Sequence, residues 1–171
     1  GAALCAHPGI AKISLTGGVE TGRLIMAQSA KSLKKITLEL GGKSPLLVFE
    51  DCDFDLAVQA ALDANFYTGG EVCSNATRVF VQRSISNDFI AAMTARTETM
   101  RVGDPMASDT QMGALISKRH LAKVLNYVKI GVDEGASIVT GGNALQPQGC
   151  ENGYFMQPTI LTNCHDDMRV V

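Results

Sequence analysis

Two residues have the types and spacing for covalent acyl chemistry: Glu39 and Cys73, 34 residues apart. Cys73 follows Gly69-Gly70-Glu71-Val72, a bend that lets the backbone approach a ligand closely, and precedes polar Ser74, Asn75 and Thr77. A thiolate attacks a carbonyl carbon and keeps the acyl group, and a carboxylate can then activate the water that releases the acid. Glu39 stands between Leu38 and Leu40, and desolvation by such neighbours would raise a carboxyl pKa into the range of a useful base. Each residue alone has a plainer reading: a strand-end Glu is usually a solvated charge or a helix cap, and a lone Cys is more often a buried structural thiol.

A third motif, Gly17-Gly18-Val19-Glu20-Thr21-Gly22, joins a strand to a helix. Free amides at a helix N-terminus bind phosphate, so a dinucleotide could lie there. The fingerprint G-x-G-x-x-G is not met, because position 19 is Val, and by itself the segment reads as a plain strand–helix turn. Gly42-Lys43-Ser44 is not a phosphate-binding P-loop, since Thr37 occupies the position where that pattern requires Gly.

The elements that must position these residues follow from periodicity. Residues 11–17 read as a strand, 20–31 as a helix, and 36–40 as a half-buried strand ending at Gly41-Gly42. Pro45 to Phe49 is a continuous apolar run, suited to a strand covered on both faces. A helix over 55–66, capped by Asp53 or Asp55, precedes the cysteine bend. A strand at 77–81 and a helix between 86 and 101 follow. Leu121, Val124, Leu125, Val128 and Val132 form an amphipathic stripe, ended by Gly135. Strands are expected at 137–140 and 158–161, with another beginning at Met168. The alternation of strands and helices indicates an α/β architecture with a mainly parallel sheet, hinged at 41–44 into 1–42 and 43–171.

Fifteen Lys and Arg against 17 Asp and Glu give a net charge of −2, which supplies no attraction for nucleic acid or an anionic membrane. No apolar run approaches the ~18 residues of a membrane span. Five cysteines without paired spacing suggest reduced thiols in a cytoplasmic setting. Cys5, Cys52, Cys150 and Cys164 are read as packing or surface thiols. His7, His120 and His165 are scattered, and none lies near Cys73 in sequence.

Leu38 to Pro45 and the Cys73 segment resemble the two signature motifs of the NAD(P)-dependent aldehyde dehydrogenases. The first matches E-L-G-G-K-S-P without substitution. The second replaces the usual Gln by Glu71 and the usual Gly by Ala76. Glu71 adds a negative charge that disfavours a thiolate at Cys73. Leu15-Thr16-Gly17-Gly18 resembles F-T-G-S, Gly103-Asp104-Pro105 a G-D-P word, Met112-Gly113-Ala114-Leu115 an M-G-P-L word, and Tyr154 to Thr159 a G-x-[YF]-x-x-P-T segment.

The resemblance implies the aldehyde dehydrogenase fold: the end of a Rossmann-like NAD-binding domain over 1–42, then most of a catalytic domain over 43–171. It implies Cys73 as nucleophile, Glu39 as general base, and NAD, or NADP, held at Gly17, Gly18, Val19, Glu20, Thr21 and Gly22 and meeting Glu39 and Cys73. Asn65-Phe66-Tyr67 before the cysteine bend, Thr77-Arg78-Val79-Phe80-Val81 after it and Asp166-Asp167-Met168 are most similar to the betaine aldehyde dehydrogenase branch. That implies an aromatic wall at Tyr67 for a trimethylammonium aldehyde, a potassium ion on the Leu33 carbonyl, and a homodimer or homotetramer. 4-Trimethylaminobutyraldehyde or an aminoaldehyde is the alternative substrate, and a cofactor-independent thiol hydrolase or acyltransferase the alternative activity. The family pattern also leads to the expectation that the 171 residues are a fragment, inactive alone.

Overall fold

The computed structural model describes residues 1–171, which divide into two compact units, Gly1–Gly42 and Lys43–Val171. In the first, a short helix α1 (Ala2–Ala6) leads to strand β1 (Lys12–Gly17), helix α2 (Val19–Ala30) and strand β2 (Lys35–Leu40). β1 and β2 pair in parallel over their full length, from Lys12 opposite Lys35 to Gly17 opposite Leu40. Parallel neighbours need a crossover of about a dozen residues, and α2 supplies it with 12.

Gly22 is where α2 meets β2. A Cβ there would stand 3.2 Å from Leu40 Cδ2 and 3.4 Å from Leu38 Cδ1, so the missing side chain lets the helix backbone settle on both leucines. Lys34, just before β2, is buried, and its Nζ donates to the carbonyls of His7 and Ile10, each at 2.7 Å. Those bonds satisfy an ammonium that would otherwise be costly to remove from water.

The second unit begins with β3 (Pro45–Val48), α3 (Phe54–Phe66), a tight turn over Tyr67–Gly70, and β4 (Arg78–Val81). β3 and β4 are again parallel, with Pro45 opposite Arg78. Asp53 caps α3 by accepting from the Leu56 N–H at 3.1 Å. α3 packs on α4 (Ser86–Glu98) around a core of Val48, Val58, Ala61, Leu62, Phe89 and Met93. Phe54 meets Phe89 edge-on, with ring centroids 5.9 Å apart.

The coverage of β3 is one-sided. Val48 is buried, and Leu46, Val79 and Val81 pack against the same core. Leu47, Phe49 and Phe80 lie open, with 60%, 60% and 46% of their surface exposed. The helices of this unit cover one face of the pair, and alternation sends these three residues to the other.

α5 (Lys118–Asp133) is capped by Ser117, whose Oγ accepts from the His120 N–H at 3.2 Å. Its stripe at Leu121, Val124, Leu125 and Val128 is half-buried, and Val132 is exposed. β5 (Ser137–Thr140) pairs antiparallel with β8 (Ile160–Thr162), and β6 (Ala144–Leu145) with β7 (Phe155–Met156). Parallel pairs hold most of the paired residues, and the antiparallel pairs are short. The strand expected to begin at Met168 is a turn instead: the Met168 N–H donates to His165 O and the Val171 N–H to Met168 O, so its backbone groups are used locally.

Candidate active site

Glu39 belongs to the first unit and Cys73 to the second. In β2, Glu39 lies opposite Thr16 in the ladder and is exposed. The desolvation expected from Leu38 and Leu40 does not arise within this unit. Residues one apart on a strand face opposite ways, so both leucines turn toward Gly22 and the Glu39 carboxylate turns to the other side.

Cys73 sits on a turn built from left-handed backbone. Thr68, Gly69 and Gly70 have φ of 50°, 67° and 80° in succession. Glycine takes such values at no steric cost, whereas Thr68, β-branched, holds one under strain. The Glu71 N–H closes back on Thr68 O at 3.4 Å, and the Asn75 N–H closes on Val72 O at 3.1 Å, bracketing Cys73 and Ser74. Both bracketed residues are exposed. The Cys73 N–H donates to no group of the chain, which leaves it available to an oxyanion formed at the thiol.

Two asparagines secure this turn. Asn65 Nδ2 donates to Ala61 O at 2.8 Å and to Ala76 O at 3.1 Å, and the buried Asn75 donates from Nδ2 to Asn65 O at 3.5 Å. Sequence reasoning assigned neither a role; the signal available was two amide residues flanking a bend at either end. Tyr67 opens the same turn with 68% of its surface exposed.

The second halves of the two motif words lie side by side. Arg78 donates from Nε to Lys43 O at 2.8 Å and from its backbone N–H to Ser44 O at 3.4 Å, at the start of the β3–β4 pairing. Lys43 Nζ reaches Val170 O at 2.7 Å. Burial, and after it the Arg78 guanidinium, hold the Lys43 ammonium below the ordinary lysine range. Burial pushes the Cys164 thiol up, with Lys43 acting in the opposite direction.

At the head of α2, Gly18 caps the helix without a side chain, and the Gly22 N–H takes the Gly18 carbonyl at 3.0 Å. The amides of Val19, Glu20 and Thr21 precede that first helical bond, as the open donors of a helix N-terminus do. The Glu20 carboxylate is drawn aside by Arg23 Nη1 at 2.8 Å. Leu33 has φ of 51° in the turn between α2 and β2 and is 90% exposed.

The sequence matches the pattern of the Aldehyde dehydrogenase family over residues 1–171. The chain belongs to the aldehyde dehydrogenase family. It is 50% identical over 170 residues to human 4-trimethylaminobutyraldehyde dehydrogenase and 51% identical over 168 residues to betaine aldehyde dehydrogenase of Vibrio vulnificus; each alignment covers 98% of this chain. The fold superposes on betaine aldehyde dehydrogenase of Staphylococcus aureus, solved in complex with NAD+, with a TM-score of 0.96 and 39% identity over 99% of the chain. The aldehyde dehydrogenase fold class is thereby established. The chain spans about a third of these relatives' length: 34% of the human enzyme, 35% of the Vibrio enzyme and 34% of the Staphylococcus chain. No helix of the chain is long and apolar enough to cross a membrane.

Proposed function

We propose that the protein oxidises a small aldehyde to the carboxylic acid with NAD(P)+, with Cys73 as nucleophile and Glu39 as general base. One observation carries this reading: within an aldehyde dehydrogenase sequence, Cys73 is exposed on a pinned turn with its own N–H unengaged. The Cys73 thiolate adds to the aldehyde carbon, and the Cys73 N–H receives the oxygen as it gains charge. When bound, the nicotinamide supplies the hydride acceptor that turns this thiohemiacetal into a thioester. Glu39 takes a proton from the water that cleaves the thioester, and the thiolate is regenerated.

The segment Gly17, Gly18, Val19, Glu20, Thr21 and Gly22 suits an anionic phosphate: the amides of Val19, Glu20 and Thr21 precede the first helical bond, made by Gly22, and its one carboxylate is turned to Arg23. NAD is the first choice of cofactor, as in the Staphylococcus complex, with NADP the other. In this reading 1–42 is the end of the dinucleotide domain and 43–171 most of the catalytic domain. Leu33 would offer one carbonyl to potassium, and no step runs through that ion.

The proposed substrate is betaine aldehyde. Both named relatives are dehydrogenases of trimethylammonium aldehydes, and Tyr67 offers an exposed ring at the nucleophile turn. 4-Trimethylaminobutyraldehyde or an aminoaldehyde is the alternative. A cofactor-independent hydrolase gains no support: the histidine drawn toward this turn, His120, meets Glu71. The proposal extends to a cytoplasmic homodimer or homotetramer. Brief iodoacetamide treatment of the full-length enzyme tests the core of it. Cys73 should be labelled in step with loss of NADH production, and loss of activity with Cys73 unlabelled would overturn it.

A further inference from the structure

Glu71 and His120 lie far apart in sequence, yet the fold brings His120 Nε2 to 4.0 Å from Glu71 Oε1. Glu71 stands two residues before Cys73, on the segment closed by its own N–H to Thr68 O. His120 stands in the first turn of α5. The separation is that of an ion pair and not of a hydrogen bond. The histidine side chain is 35% exposed and the glutamate 54%, so solvent screens the pair without removing it.

We propose that His120 is a positioning residue for the nucleophile turn: its imidazolium holds the Glu71 carboxylate and offsets that negative charge beside Cys73. The proposal rests on Cys73 as nucleophile. A carboxylate two residues from a thiol opposes the thiolate, and a cation paired with that carboxylate relieves the opposition. Other charges do not substitute for His120. From Tyr67 to Thr77 the turn carries no charged side chain besides Glu71. Arg78, next along, turns its Nε to Lys43 O. On α5, Lys118, Arg119 and Lys123 are exposed, and Lys123 lies over the Tyr127 ring, 6.0 Å from its centroid. The α5 cap uses the His120 backbone N–H, so replacing the side chain leaves the cap in place.

The test is the rate of iodoacetamide labelling of Cys73 in the full-length enzyme, followed by mass spectrometry at one fixed pH for all variants. His120→Gln should slow labelling ~1.5–5-fold, the range of an exposed ion pair. His120→Lys should restore the rate. Glu71→Gln should raise it, and in that background His120→Gln should change nothing. Equal slowing by His120→Gln with and without Glu71 would overturn the proposal, as would no slowing at all. Should His120→Gln melt early, the Glu71→Gln and His120→Lys arms decide by the same criteria. Labelling of Cys73 without loss of activity would refute Cys73 as nucleophile while leaving the measured coupling to stand.

Discussion

The Asn75 side-chain amide donates to the Asn65 carbonyl across 3.5 Å, while Asn65 itself reaches both Ala61 O and Ala76 O. The end of α3 is thus tied to the far side of the Cys73 turn through two amides. Of the two, Asn65 makes the shorter bonds, at 2.8 and 3.1 Å.

Replacing Asn65 by Asp keeps shape but removes both donors. Asn65→Asp should lower stability by about 1–3 kcal/mol, since two side-chain bonds are lost and a carboxylate oxygen is turned toward two carbonyls. Asn75→Ala, which introduces no buried charge, should cost less, since one long bond is lost. Denaturant unfolding of the two variants checks the order, and a reversed order would show that the turn is held elsewhere.

Glu39→Gln keeps the side chain's size and removes its basicity. The variant should retain a pre-steady-state burst of NADH while steady turnover falls by ~10²–10⁴, the usual range for a general base. Stopped-flow absorbance resolves the two phases. Loss of the burst together with turnover would move Glu39 to an earlier step.

The exposed ring of Tyr67 can face a quaternary ammonium, an attraction worth ~0.5–2 kcal/mol. Tyr67→Ala should therefore lower kcat/KM for betaine aldehyde ~2–30-fold and spare a neutral aldehyde of similar size. Equal losses on both substrates would make Tyr67 scaffolding for the end of α3.

Glu134 accepts from the Arg169 backbone N–H at 2.7 Å and from Arg169 Nε, and these bonds hold its carboxyl below the ordinary value of 4.5. A carboxylate lowered on folding stabilises the native state above its unfolded pKa and loses that contribution as pH falls through the folded one. Arg169→Ala should therefore melt below the parent at pH 7, and the two should converge as pH drops beneath 4.5. Thermal melts across that range read the difference, and a constant gap at all pH values would contradict it.

Local order was legible because it rests on short-range rules. Asp53 before an alanine-rich run, Gly18 before Val19 and the alternation of Ile36 to Leu40 each mark an element found within a residue or two of its expected bounds. What escaped the sequence depends on which neighbours arrive. An apolar run such as Pro45 to Phe49 reads the same whether one face or both are covered, so the openness of Leu47 and Phe49 had no signature. The exposure of Glu39 in β2 was unreadable for a related reason: apolar neighbours in sequence are not neighbours in space on a strand. The approach of His120 to Glu71 is a tertiary contact with no periodic trace.

The parity of β2 has an evolutionary consequence. Leu38 and Leu40 point at Gly22 and Glu39 points away, so insertion or deletion of one residue between Lys35 and Glu39 would exchange their faces at a stroke. A carboxylate would then press on the helix backbone and leucines would take its place outside. Lineages descended from this chain can drift in the letters of the strand while remaining barred from altering its count, and gaps in their alignments should fall in the turns on either side.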